Sequence, residues 1–195
     1  MDIMVKRIID ILLGLIFGII SLPLCIIIGI AIKLEDGKKI FYVSKRIGLG
    51  GKVFDMLKFR TMNYDSYSLS DVEKTEFQNN FKLKQDRRIT KVGYWLRRYS
   101  LDEIPQFINV LKGEMSVIGP RPKLPEEIDL FENNKVELLS ISPGITGYWQ
   151  VYRKSADSDE NMRNMDLYYV RNRNIVMDFK IILLTFLTLI CKKNY

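Results

Sequence analysis

From Ile8 to Ile32 the chain is apolar apart from Asp10 and Ser21, and this run limits what the rest can fold into more than any other stretch. As one helix, its roughly 25 residues reach about 37 Å, enough to cross a bilayer. The run is too long for the apolar part of a cleaved signal and lacks a small-x-small cleavage site, so it is expected to belong to the mature protein. Pro23 sits inside it, where proline cannot donate to the carbonyl four residues back and costs about 3 kcal/mol. The Ser21 hydroxyl can serve a freed carbonyl, which makes a break tolerable in lipid. Both flanks are basic, with Lys6 and Arg7 before the run and Lys33, Lys38 and Lys39 after it. Lys and Arg favour the cytoplasmic side, so both ends belong on one face. The sequence therefore favours a re-entrant membrane hairpin over residues 1–34, two short helical arms broken at Ser21 and Pro23. The competing reading is a kinked transmembrane helix with one basic flank on the wrong side.

Charge and composition narrow the chemistry. The 195 residues carry 30 Lys and Arg against 23 Asp and Glu, a formal net charge of +7. Such a chain attracts anions, whether nucleic acid, phospholipid headgroups or phosphorylated substrates. There is no histidine, and Cys25 and Cys191 lie far apart in apolar surroundings. Disulfide and metal-ligand spacings are absent. Any catalysis falls to carboxylates.

Residues 40–43 and 53–62 are rich in β-formers, and the glycines at 48, 50 and 51 between them fit a strand pair with a glycine turn. Period-2 alternation puts Lys58 and Arg60 on one face. The glycines lack P-loop spacing. Residues 63–85 are polar, with a short helix expected around 71–81. From Asp86 to Tyr99 there are five positive charges against one negative. There Val92, Trp95, Leu96 and Tyr99 recur at helical spacing, which gives an amphipathic helix with a basic face, either solvated or laid on lipid phosphates.

Next comes Ser100-Leu101-Asp102-Glu103-Ile104-Pro105-Gln106. Ser100-x-x-Glu103 is a capping-box pattern, but Pro105 would then lie inside the helix, whereas proline prefers its first position. A helix from Pro105 to about Leu111 is the alternative, and in either case the acidic pair stands at a helix start that favours anions. Arg121 is set between Pro120 and Pro122, a stiff mount suited to bidentate phosphate binding. Residues 125–140 read as an exposed acidic helix and 142–147 as a turn. Tyr148 to Arg153 reads as a strand or base-stacking wall, and 159–173 as a helix. The run 181–190 is too short to span a membrane, so it is core or interfacial.

Lys58-Phe59-Arg60-Thr61-Met62, Asp86-x-Arg88-x-Thr90, Ser100 to Gln106, Asn109 to Gly113, Gly119-Pro120-Arg121-Pro122 and Pro143 to Gly147 occur in this order. Together they resemble the bacterial sugar transferases, the small monotopic phosphoglycosyl transferases, along nearly the whole chain. The resemblance implies a mixed α/β, helix-rich single catalytic domain over residues 35–195 on the cytoplasmic face of the bacterial inner membrane. Its apolar segment 175–195 would lie in the interface, alongside other amphipathic helices. The implied reaction moves a sugar 1-phosphate from a UDP-sugar to undecaprenyl phosphate and releases UMP, the first membrane step of polysaccharide or glycoconjugate synthesis. Asp102 would be the nucleophile, through a covalent aspartyl-phosphosugar intermediate, and the Mg²⁺ ligand. Glu103 would assist proton removal from the acceptor. Lys58, Arg60, Arg88, Arg121, Gln150 and Arg153 would bind the substrates, Arg121 foremost. The partners implied are the UDP-sugar, the polyprenyl phosphate and the phospholipid bilayer, with a homo-oligomer left open.

This chain departs from the pattern where Leu22 separates Ser21 from Pro23, and where Tyr152 precedes Arg153 in place of glycine. It has none of the additional N-terminal spans of longer relatives and reads as the minimal catalytic unit. Three rivals remain at this level. A nucleic-acid module is disfavoured because no recognition motif is present and the apolar run has no role in it. A non-catalytic protein docking on anionic lipid headgroups explains everything except the acidic pair. An ordinary membrane glycosyltransferase would release UDP instead of UMP.

Overall fold

The apolar run forms a single helix, α1 (Ile3–Asp36), with Pro23 inside it, in a computed structural model that describes residues 3–63, 86–152 and 158–190. Where the sequence suggests two arms, the helix is continuous. Proline removes one main-chain bond, and the turns on either side carry the helix on. Ser21 Oγ donates to the Gly18 carbonyl at 3.2 Å. Among the described residues, α1 is the one helix long and apolar enough to cross a membrane. Its middle is bare, with Ile19 and Ile20 each 70% exposed.

Both ends of α1 are tied to the rest of the chain. Near the start, Arg7 donates to the carbonyls of Val110 and Leu111 at 2.6 and 2.8 Å. Those groups lie in the last turn of a helix, where carbonyls run short of main-chain donors, although Val110 also accepts from the Gly113 N–H at 3.0 Å. Asp10, the one charge inside the apolar run, is buried and accepts from the Val117 N–H and from Ser116 Oγ, both at 3.0 Å. Lys6 Nζ bridges Asp10 at 3.2 Å and Asp178 at 3.0 Å, and Tyr169 Oη donates to Asp178 at 2.7 Å. At the far end Asp36 takes a forked pair of bonds from Arg60. Glu35 Oε1 accepts from the main-chain N–H groups of Lys91 and Val92.

The expected hairpin is present as β1 (Phe41–Ile47) and β2 (Val53–Phe59), antiparallel, with Phe41 opposite Phe59 and Ile47 opposite Val53. Its turn needs Gly50 and Gly51 at φ +64° and +81°, a region that favours glycine. Helix α2 (Lys91–Arg98) is capped by Thr90, whose side chain accepts from the Gly93 N–H. Then come a 3₁₀ turn at Leu101–Glu103, helix α3 (Gln106–Lys112) and strand β3 (Ser116–Ile118). Residues 142–147, read as a turn, contain β4 (Gly144–Thr146), which pairs in parallel with β3. The two strands approach so closely that a Cβ on Gly144 would lie 2.1 Å from the Gly119 nitrogen.

Other elements correct the sequence reading. Residues 125–140 form a 3₁₀ segment (Ile128–Asn134) and a short α4 (Lys135–Leu138) instead of one helix. Tyr148–Tyr152 is helix α5, not a strand. Its aromatics misled because β-formers are also tolerated in helices when their rings pack. Tyr148 lies 4.6 Å from Tyr152 one turn on and 5.1 Å from Tyr168. Helix α6 (Asp159–Asn172) agrees with expectation. Helix α7 (Ile175–Ile190) begins six residues before the apolar run that marked it, because Asn174 caps it by accepting from the Met177 N–H. The helix expected around 71–81 lies outside the described residues.

Two apolar clusters hold this together, one around Met56, Val110, Phe131, Tyr169 and Ile181, the other joining Ile28 and Ile32 of α1 to Phe59 and Leu96. The second depends on Gly93. A Cβ there would fall 2.2 Å from the Thr61 carbonyl oxygen, and main chain cannot step aside as a side chain can. Gly93→Ala is therefore expected to cost about 2–3 kcal/mol by overpacking, measured as a lower thermal midpoint in detergent. A melting curve matching wild type would show that α2 does not need this contact.

Candidate active site

The acidic pair is carried between α2 and α3 by a turn with one left-handed residue. Ser100 has φ 56° and ψ 25° and makes no side-chain cap, so the capping box of the sequence is not formed. Pro105 instead precedes the first residue of α3, as the proline argument anticipates. A left-handed non-glycine residue costs roughly 1–2 kcal/mol, and such conformations gather where geometry serves function. Ser100→Val is expected to destabilise by a similar amount, about 1–2 kcal/mol, because β-branched residues tolerate this region least. Ser100→Gly is expected to melt at or above wild type.

From β2, Lys58 reaches across to the pair. Its Nζ lies 2.7 Å from Glu103 Oε1 and 4.0 Å from Asp102 Oδ2. Glu103 lines a cavity of about 450 Å³. Asp102 sits just behind that lining with its side chain 14% exposed. Burial pushes the Asp102 carboxyl up from 3.8 to about 6; the Lys58 ammonium opposes this, the Glu103 charge adds to it, and Arg97 opposes it more weakly. Burial acts in that direction because desolvation disfavours the charged form.

The cavity lining is of two chemical kinds. Lys58, Glu103, Arg46, Arg121 and Gln150 supply charge and polarity, whereas Phe17 of α1, Phe107 of α3, and Ile182 and Phe186 of α7 are apolar. Phe17 lies 5.7 Å from Phe107 and 5.8 Å from Phe186, ring to ring. The long apolar helix and the C-terminal one thus meet at the cavity. The Arg121 guanidinium lies 5.8 Å from the centre of the Trp149 ring. Gln150 Nε2 donates to the Ile145 carbonyl, while Gln150 Oε1 and Trp149 Nε1 are buried without a hydrogen-bond partner among the described residues. Buried polar atoms are rarely left so, and a polar ligand in the cavity would satisfy them.

The sequence-derived site residues divide into three groups. Asp102, Glu103, Lys58, Arg121 and Gln150 come together around the cavity. Arg60 is 8% exposed and committed to Asp36 and to the Lys39 carbonyl. Arg88 forms a forked pair with Asp86. Neither lines the cavity. Arg153 lies outside the described residues. Sequence reasoning passed over Arg46, which lines the cavity. It donates to the Pro122 carbonyl at 3.2 Å and faces Glu127 at 3.7 Å. Burial first, then the nearby Arg121, lowers its pKa. The available signal was its place in β1, three residues upstream of the glycine turn.

The donor set bears on Mg²⁺. Among the described residues no group of three acidic, histidine or cysteine side chains could hold a metal ion. Glu103 is already bonded to Lys58, while Asp102 is merely approached by it at 4.0 Å. A single carboxylate beside the cavity, Asp102, would be the residue to hold Mg²⁺, which characteristically takes one or two carboxylates and completes its shell with phosphates and water.

Residues 1–192 match the bacterial sugar transferase family. The chain is 42% identical over 188 residues to an uncharacterized sugar transferase of Haemophilus influenzae, covering 92% of this chain and 40% of that protein. It is 36% identical over 187 residues to the exopolysaccharide production protein ExoY of Sinorhizobium fredii, covering 92% and 83%. It is 37% identical over 188 residues to the undecaprenyl-phosphate galactose phosphotransferase of Salmonella typhimurium, covering 92% and 39%. The chain thus spans about two fifths of the Haemophilus and Salmonella proteins and most of ExoY.

Proposed function

The chain belongs to the bacterial sugar transferase family, and from that premise we propose that it transfers a sugar 1-phosphate from a UDP-sugar to a polyprenyl phosphate and releases UMP. The observation that carries this reading is the Asp102–Glu103–Lys58 cluster beside a cavity lined by both cationic and apolar side chains. A nucleotide diphosphate suits the cations and a prenyl chain the apolar residues.

In the first half-reaction an Asp102 carboxylate oxygen attacks the sugar-bearing phosphorus, and the bond from that phosphorus to the bridging oxygen breaks. UMP leaves with the electron pair, and the phosphosugar is held as an acyl phosphate. In the second, an oxygen of the polyprenyl phosphate attacks the same phosphorus, releasing the lipid diphosphate sugar and restoring the carboxylate. Glu103 takes the acceptor's proton where the acceptor arrives monoprotonated. Lys58, Arg46 and Arg121 absorb charge on the phosphates, the electrostatic part of catalysis. Mg²⁺, when bound at Asp102, supplies further neutralisation of the diphosphate.

The apolar faces of α1 and α7 favour a bilayer setting in which the acceptor reaches the site without leaving lipid. Attachment of both α1 ends to the same portion of the chain supports the re-entrant arrangement. Cysteine labels placed at both ends of α1 should then react from one side of the membrane; labelling from opposite sides would restore a spanning helix.

The reaction is tested by giving the protein in nanodiscs with Mg²⁺ a panel of UDP-sugars, with and without undecaprenyl phosphate. UMP is the expected product. UDP, or no nucleotide from any donor, would reject the proposal. Covalent catalysis further predicts ping-pong kinetics and a phosphosugar adduct by intact mass.

A further inference from the structure

Asp166 has no part in that chemistry, yet it is the most deeply buried charged residue among those described, with 0% of its surface exposed. It projects from the middle of α6 against the segment that carries Arg121. Lys123 Nζ lies 2.7 Å from Asp166 Oδ2 and is itself on a residue 8% exposed. Burial pushes the Asp166 carboxyl up; Lys123 pulls it down most strongly, followed by the main-chain N–H and then the guanidinium of Arg121. The carboxylate is therefore held to the segment just after Pro122 by the Lys123 ammonium, and neither of its oxygens has a hydrogen-bond partner among the described residues. The main chain there is held from two other directions as well. Ile47 donates to the Lys123 carbonyl at 3.0 Å and Gly144 to the Pro120 carbonyl at 2.9 Å. Between these points the Arg121 side chain is exposed and reaches over Trp149 at the cavity.

A buried ion pair is a poor way to gain stability, because apolar residues of the same shape often hold a fold as well or better. What Asp166 offers and a leucine does not is directionality: one ammonium fixed at a set place two residues from Arg121. We propose that Asp166 is a positioning residue for phosphate recognition, aiming the Arg121 guanidinium at the donor's diphosphate by fixing Lys123, two residues along a main chain already held by Ile47 and Gly144. The inference rests on the sugar 1-phosphate transfer reading.

Asp166→Asn alone leaves a buried ammonium uncompensated and risks misfolding, so the informative variant removes both charges, Asp166→Asn with Lys123→Met. Thermal midpoint, UDP affinity by calorimetry and UMP release are measured for it in the wild-type and Arg121→Ala backgrounds. The double variant is expected to melt near wild type but to bind UDP about 10- to 100-fold more weakly, as small misplacements of a binding group do. With Arg121→Ala already present, the same two changes should alter UDP affinity by less than about twofold, since residues acting through one another are non-additive. Wild-type UDP affinity in the double variant would overturn the inference, and so would an equal loss in both backgrounds. Wild-type protein that neither binds UDP nor releases UMP would bring down the transfer reading itself, a result separate from either.

Discussion

Asp102→Asn is expected to abolish UMP release and the phosphosugar adduct, and at the same time to raise the thermal midpoint in Mg²⁺-free buffer at pH 8. Both effects come from one cause. The carboxylate is held almost out of water, and burial lifts its pKa from 3.8 to about 6. Between those values the folded state binds more protons than the unfolded one, so stability falls as pH rises through about 6. A shift of this size amounts to at most about 3 kcal/mol against the ionised form. Asparagine keeps the shape and drops the charge, so a gain of about 1–2 kcal/mol is expected, or about 2–8 °C for a chain of this length. The gap between variant and wild type should shrink as pH is lowered from about 6 toward 3.8 and close below it, where Asp102 is neutral in both states. A gap independent of pH would show that Asp102 is not a buried ionising group. An adduct surviving in the variant would remove it as the nucleophile.

Much of this site was legible in the sequence, for identifiable reasons. Proline and glycine act locally, so Pro105 at the start of α3 and the glycines at 50 and 51 in the hairpin turn could be read without knowing the fold. Strand β4 was not legible, because three residues carry no period and their pairing with β3 is made across 28 positions of sequence. Helix α5 was missed because ring packing between Tyr148, Tyr152 and Tyr168 decides it, and that is tertiary. The same limit applies to charge. Arg60 and Arg88 carry the residue type that phosphate binding calls for, but each meets a carboxylate at forked geometry, Asp36 and Asp86. Arg46 looked incidental and lines the cavity. Sequence shows which cations exist, and the fold decides which of them a buried carboxylate has already taken.

The same reasoning explains why α1 holds on to the catalytic portion. Asp10 would be an expensive intrusion in a free membrane helix. Here it meets the Val117 N–H, Ser116 and Lys6, and Val117 in turn lines the cavity. The long apolar helix and the cavity are therefore joined through strand β3.

Lys58→Met is expected to lower kcat/KM at pH 7 by about two orders of magnitude, the usual loss when one preorganised charge-stabilising group is removed, and part of that loss should be recoverable with alkali. Lys58 is the foremost group opposing the upward shift of Asp102, and its Nζ sits on Glu103 at 2.7 Å. Without it, two adjacent carboxylates face each other with Arg97 the next cation acting on Asp102. A nearby opposite charge lowers a carboxyl by about 1–3 units, so its removal should move the acidic limb of the kcat/KM profile upward by about one unit or more. That profile reports the free enzyme, and the comparison is made at one fixed Mg²⁺ concentration. Raising the pH to about 8.5 then restores the ionised nucleophile and regains about twofold for a one-unit shift and about eightfold for a two-unit one, while the share owed to a lost phosphate contact stays lost. Lys58→Arg keeps the charge and should keep the limb where wild type has it. If the Met variant loses activity equally at every pH, Lys58 serves the substrate alone, and the carboxylates are set by other groups.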